Sequence, residues 1–388
     1  MPRPAYDPIK ENEVVGTYPP IEAIKWPTAP NGLPESPKLY RPITPLENYK
    51  LLFAGKTPYW IPESGWTYCD VVEFRPRQIP DNMANHQAFD GGGKIEWEKF
   101  GKVINGWFDL PYEWEENSGG ATVRPGNPKL ETMEDWQDYI TFPDLDAIDW
   151  DAIGEMNQVY LSTDKVNQLG IQFGMWERMM NLMDVDNAAV ALIDDDQEED
   201  LCRWLDTLAA FYIDYIDRMT KVCRIDSIMI HDDWGTQNGP FFSIDTCRHF
   251  FVPRMKKVID FAHSKGIVWE RHCCGKAQDL VPCMVEEGDD YWSPQPALND
   301  LDMLIETYKD EHITFCVGNP TLTKDMTEED IRQLAYDWVQ KYKDAGILLI
   351  KNIAFDFNAD PSKYPIFRDA VYEFSRIAYQ DAPAIDEM

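Results

Sequence analysis

Ile225-Asp226-Ser227-Ile228-Met229-Ile230-His231-Asp232-Asp233-Trp234-Gly235 is the stretch that decides the fold. Ile225 to Ile230 is short, β-branched and largely apolar, the signature of a strand buried on both faces. Ahead of it, Leu201, Leu205, Leu208, Phe211, Tyr212, Tyr215, Ile216 and Met219 recur at helical spacing between Leu201 and Val222, so a helix feeds a buried strand. The alternation continues and predicts helix 244–264, strand 266–271, helix 276–287, strand 290–293, helix 298–309, strand 313–317, helix 327–344, strand 347–353 and helix 364–379. Thr327-Glu328-Glu329-Asp330 reads as the capping box that starts one of these helices. Strands separated by helices pair in parallel through right-handed crossovers.

Two parallel architectures compete, a doubly wound sheet and a barrel. No G-x-G-x-x-G follows a strand, and Gly55-Lys56-Thr57 lacks the glycine five residues earlier that a phosphate-binding loop requires. Polar residues instead close successive strands: His231, Asp232 and Asp233; Arg271, His272 and Cys274; Gln295; Cys316 and Asn319; Asn352. Chemistry spread over several strand ends is how a (β/α)8 barrel builds a site. The expected fold is therefore α/β, a distorted TIM barrel over residues 46–388. Residues 1–45, with eleven prolines, form an irregular arm that wraps a surface or a partner subunit.

The chain has 388 residues with 36 Lys+Arg against 68 Asp+Glu, a formal charge of −32. Such a surface repels polyanions, and the densest charge run, Asp194 to Asp200, is acidic, so nucleic-acid and membrane binding are not expected. Hydrophobic residues at 44 % suffice for a large core. No apolar run is long enough to span a membrane and MPRPAYDPIKENE has no apolar signal region, which makes a cytoplasmic location the expectation. The eight scattered cysteines then default to buried small hydrophobes. Trp60, Trp66, Trp97, Trp107, Trp114, Trp136 and Trp150 crowd the first half, either as a packed covering layer or as a substrate-stacking surface.

Glu270-Arg271-His272-Cys273-Cys274-Gly275 carries the sharpest chemical signal. His272 and Cys274, two apart in an extended segment, point to one side and can meet one Zn²⁺, while Cys273 points away. Cys316, ending another strand, is the candidate third ligand; a core histidine beside buried thiols is the plainer alternative. Asp232 and Asp233 are costly to bury unless they pair or do chemistry, and Arg271 is an obvious partner for either. Gly174-Met175-Trp176-Glu177-Arg178-Met179-Met180-Asn181-Leu182-Met183 reads mainly as a core helix, with Glu177 and Arg178 able to face the barrel mouth.

His231-Asp-Asp-Trp-Gly-Thr-Gln-Asn-Gly, Phe250-Phe251-Val-Pro-Arg-Met-Lys-Lys, His272-Cys-Cys-Gly, Val317-Gly-Asn-Pro and Gly174-Met-Trp-Glu-Arg-Met together resemble the uroporphyrinogen decarboxylase superfamily, nearest its zinc-dependent corrinoid methyltransferase-type members. The resemblance implies a barrel with its site at the strand C-termini. The arginine-rich segment that decarboxylases use to hold an acidic tetrapyrrole has no counterpart in Pro58 to Tyr68, which argues against that substrate. The family's His-x-Cys zinc pair matches His272 and Cys274. Its later cysteine has no match in 347–353, leaving Cys316 or a carboxylate such as Glu63 as the third donor, and Gln295 lies where related methionine synthases place a glutamate ligand.

What the resemblance implies is a methyltransferase moving a methyl group between a small donor, such as a methoxylated aromatic, and a corrinoid (cobalamin) held by a partner protein, with zinc as Lewis acid. The expected metal ligands are His272, Cys274 and Cys316. Asp232, Asp233 and Arg271 are the expected catalytic residues, and Glu63, Trp66, Tyr68, Glu177, Arg178, Trp234, Gln295 and Asn319 the expected substrate-binding ones. A metal-independent decarboxylase of a small carboxylate and a non-catalytic corrinoid or tetrapyrrole carrier are the alternatives. The arm makes a homodimer an open expectation.

Overall fold

The structure of the chain, a computed structural model, describes residues 3–20, 35–65, 69–92, 95–115, 120–134, 136–346, 349–351 and 359–385. Eight strands close a parallel barrel in sequence order: β1 (Glu63–Gly65), β2 (Val71–Phe74), β3 (Val166–Ile171), β4 (Ser227–His231), β5 (Val268–Cys273), β6 (Tyr291–Pro294), β7 (Thr314–Gly318) and β8 (Leu349–Lys351). The TIM-barrel expectation holds. The strand read at 225–230 is β4, shifted by the ladder that pairs His231 with His272. The helix expected at 244–264 is two helices, Ile244–Phe250 and Val252–Ser264, meeting at Phe251 where Pro253 brings no backbone N–H.

Side chains facing into the barrel form layers. At the bottom, Val71, Val166, Tyr291 and Cys316 pack on Tyr49 from the helix Pro45–Phe53, an apolar plug. One step up β3, β5 and β6 the interior turns polar: Gln168 donates to Glu270 (2.7 Å) and to the Tyr291 hydroxyl (2.8 Å), and Ser293 also bonds Glu270. Burying a carboxylate there requires those donors. The next step reaches the C-terminal mouth.

A long excursion between β2 and β3 carries the antiparallel sheet Val103–Asn105, Pro111–Glu115 and Gly120–Val123. Trp107 and Trp150 belong to a packed layer. Trp107 meets Phe211 and Tyr215 edge-on at 4.9 and 5.3 Å, and Trp150 packs on Tyr215 and donates to the Leu145 carbonyl. Residues 3–20 and 35–40 lie on the chain's own barrel. Arg3 donates to the Thr57, Pro58 and Pro383 carbonyls, and Glu11 pairs with Arg376 (2.9 Å) and Tyr372 of the helix Tyr364–Ala378. Tyr18 and Lys38, on the paired strands Val14–Tyr18 and Ser36–Leu39, both reach Asp164.

Candidate metal centre

Strands β4 and β5 end with the same pattern, histidine, one residue, then a second donor: His231-x-Asp233 and His272-x-Cys274. Because His231 pairs in register with His272, alternation brings all four side chains to one face at the barrel mouth. The loops beyond are held close. Lys276 N–H donates to the Thr236 carbonyl at 2.7 Å, and a Cβ on Gly275, at φ +78°, would lie 2.2 Å from the Gly235 backbone. Only two glycines permit that approach, which aligns the two motifs.

One donor atom from each of His231, Asp233, His272 and Cys274 lies within 4.8 Å of the others. Cys274 Sγ is 3.4 Å from His272 Nε2, His231 Nε2 is 3.9 Å from Asp233 Oδ1, and the two imidazoles sit 4.8 Å apart. The Cys274 N–H donates to Asp233 Oδ1 at 2.6 Å. On the far side of His231, Nδ1 meets Glu177 Oε2 at 2.7 Å. A carboxylate behind a histidine fixes its tautomer and leaves Nε2 to face the cluster.

The electrostatics ask for positive charge. Burial pushes Glu177 up to about 8, with Asp233 and Asp232 adding to it against the pull of His231. Burial alone would lower His231, but Glu177 and Asp233 hold it well above the usual imidazole range. Burial also raises the Cys274 thiol, opposed by the His231 hydrogen bond. A divalent cation answers that demand more fully than a proton, and two nitrogens, a sulfur and a carboxylate oxygen form a donor set suited to zinc. The group could hold a metal ion at the open end of the barrel.

The other residues singled out by sequence divide sharply. Cys316 is not part of this group: it lies in the apolar bottom layer, because the C-terminal end of β7 is Gly318, two residues further on. Cys273 points away, fully buried, its sulfur accepting from the Trp234 N–H. Asp232 and Arg271 are fully buried outside the barrel wall. Asp232 accepts from the Glu177 N–H (3.0 Å) and Trp234 Nε1 (2.9 Å), so it caps and clamps loops. Arg271 pairs with Asp289 (2.6 Å) and Glu287 under the ring of Trp234, itself fully buried. Arg178 is likewise buried, paired with Asp81 of the excursion at 2.5 Å. These expected catalytic and binding residues do not reach the mouth. Glu63 is on the outer side of β1, 4.0 Å from Arg368.

Glu177 stands behind His231 as described, Gln295 accepts from the Gly275 N–H at 2.8 Å, and Asn319 follows β7 half-buried. Trp66, Tyr68 and Asn352 lie outside the described residues. Two donors of this group, His231 and Asp233, are absent from the expected ligand set, in which Asp233 is a catalytic residue; the repeated His-x-donor ending of neighbouring strands is the signal that marks them.

No family model and no curated protein matches the chain. Among solved structures, a methyltransferase from Methanosarcina mazei superposes with a TM-score of 0.57 at 14 % identity, covering 86 % of this chain and 99 % of that one. The chain shares that protein's fold. A B12-independent methionine synthase from Shewanella sp. W3-18-1 matches at a TM-score of 0.38 and 9 % identity over 72 % of this chain and 74 % of that one. Among the described residues, no helix is long and apolar enough to cross a membrane.

Proposed function

We propose that the chain is a methyltransferase of the uroporphyrinogen decarboxylase superfamily that passes a methyl group between a small donor and a corrinoid protein, with zinc held by His231, Asp233, His272 and Cys274. The observation that carries this reading is the gathering of those four donors at the C-terminal mouth of the barrel. The fold shared with a methyltransferase supports it.

When bound, zinc would supply Lewis-acid polarisation of the leaving heteroatom of a methyl donor, or of an acceptor thiol in the reverse direction. The chain's own residues set the stage for that chemistry. Glu177 orients His231 through Nδ1, the Cys274 amide orients Asp233, and the Gly235–Gly275 contact keeps the two strand ends together. Asp233 Oδ1 also accepts from the Cys274 amide, so if a substrate atom were to take its place beside the zinc, its carboxylate would keep a hydrogen bond.

The test is an anaerobic assay with cob(I)alamin standing in for the corrinoid protein and methoxylated aromatics as donors, followed by the change in corrinoid absorbance. Turnover that stops on chelation and returns with added zinc is the expected result. Substrate consumption that survives chelation and needs no corrinoid would overturn the reading in favour of a lyase.

A further inference from the structure

Gln172 has no role in the metal group, yet it is 4 % exposed and its side-chain oxygen has no hydrogen-bond partner among the described residues. Leaving a buried amide oxygen unpaired costs on the order of 1–3 kcal/mol, so such a group calls for a partner, a ligand atom or a bound water. Its direction follows from β3. Gln168 points inward, since it bonds Glu270 and Tyr291 inside the barrel. Gly170 faces the same way: a Cβ there would meet Arg75 Nε at 2.5 Å and Glu73 Oε1 at 2.7 Å. Phe173 faces outward, stacked on Tyr112 at 5.0 Å. Alternation therefore turns Gln172 into the mouth, and the pairing of Ile171 with Ile230 places it on the rung beside His231.

The geometry points to Gln172 as the substrate-recognition residue of this site, accepting a hydrogen bond from a hydroxyl or N–H carried next to the methyl-bearing atom of the donor. The inference rests on the methyl-transfer reading for its substrate class. An O–H or N–H is favoured over a carboxylate because Glu177, Asp233 and Cys274 crowd the neighbouring wall with acceptors, and because the nearby Arg75 is already engaged by Glu73 (2.6 Å) and Gln87 (2.9 Å). A site built to pair a polar substrate group discriminates strongly against analogues lacking it.

Three probes separate the cases: 2-methoxyphenol offers O–H, 2-methoxyaniline offers N–H, and 1,2-dimethoxybenzene offers neither. Wild type should favour one or both of the first two over the third by about tenfold or more in kcat/KM. Gln172→Met should bring that ratio close to one, and Gln172→Glu, which keeps an acceptor, should preserve most of it. Loss of preference for the phenol alone assigns O–H, and for the aniline alone N–H. A ratio unchanged in Gln172→Met would overturn the proposal. Binding of the same probes, followed by tryptophan fluorescence, keeps the two readings distinct. Should the protein turn over none of them, tighter binding of a hydroxyl or amine probe that Gln172→Met abolishes still upholds the residue's role, and equal binding of all three rejects it.

Discussion

Arg271 shows how a strand-end residue can be indispensable without touching substrate. Its guanidinium is enclosed by Asp289, Glu287, Asp232 at 3.8 Å and the face of Trp234. Arg271→Leu would strand buried carboxylates, a cost of about 3–5 kcal/mol. The expected outcome is a large drop in thermal midpoint with normal zinc content in whatever protein folds; unchanged stability with lost turnover would return Arg271 to the catalytic list. Glu63 makes a second prediction. Burial raises it from an ordinary 4.5 to about 8, with Arg368 opposing. Between those values the native state keeps a proton that the unfolded chain has released, so this residue's contribution to stability falls as pH rises through that window. Glu63→Gln should flatten the decline, read as a thermal midpoint increasingly above wild type from pH 5 to 8; parallel curves would contradict it. At this scale the sequence disclosed His272 and Cys274 because alternation in an extended segment is local. It did not disclose that Arg271 and Asp232 turn outward, since the partners of Arg271, Glu287 and Asp289, and the Glu177 amide that donates to Asp232 are placed by other helices and loops.

The regular second half of the chain was readable as elements because each helix buries one apolar stripe and each strand a short apolar run; Thr327 and Asp330 do form the capping box. The first half was not. β1 has three residues, and the excursion's strands have three to five, too short to carry a period. The proline-rich arm likewise has no pattern of its own, and the placement of its described residues is decided by tertiary contacts. Glu11, 3 % exposed, meets the fully buried Arg376 and joins the start of the chain to its last helix. Glu11→Ala should therefore lower the thermal midpoint by an amount equivalent to roughly 3 kcal/mol and make the arm more readily cleaved by protease. Equal midpoints and equal cleavage rates would show that the arm adds nothing to the barrel.

Across the whole molecule, barrel closure turns two strand endings into one candidate centre. Residues 231 and 274 are distant in sequence, and only the in-register pairing of β4 with β5 makes His-x-Asp and His-x-Cys a single donor group. Sequence could place the site at the strand ends; the choice between His231 and Cys316 as further donors depended on which layer each strand presents at the mouth. That choice is directly measurable. Metal content by mass spectrometry, on protein purified anaerobically without a metal-binding tag, should give about one zinc per chain in wild type. His231→Ala, His272→Ala and Cys274→Ser should each lose it, while Cys316→Ser should keep it. Wild-type protein that takes up no zinc after reconstitution, or zinc that vanishes with Cys316→Ser and survives His231→Ala, would contradict the account.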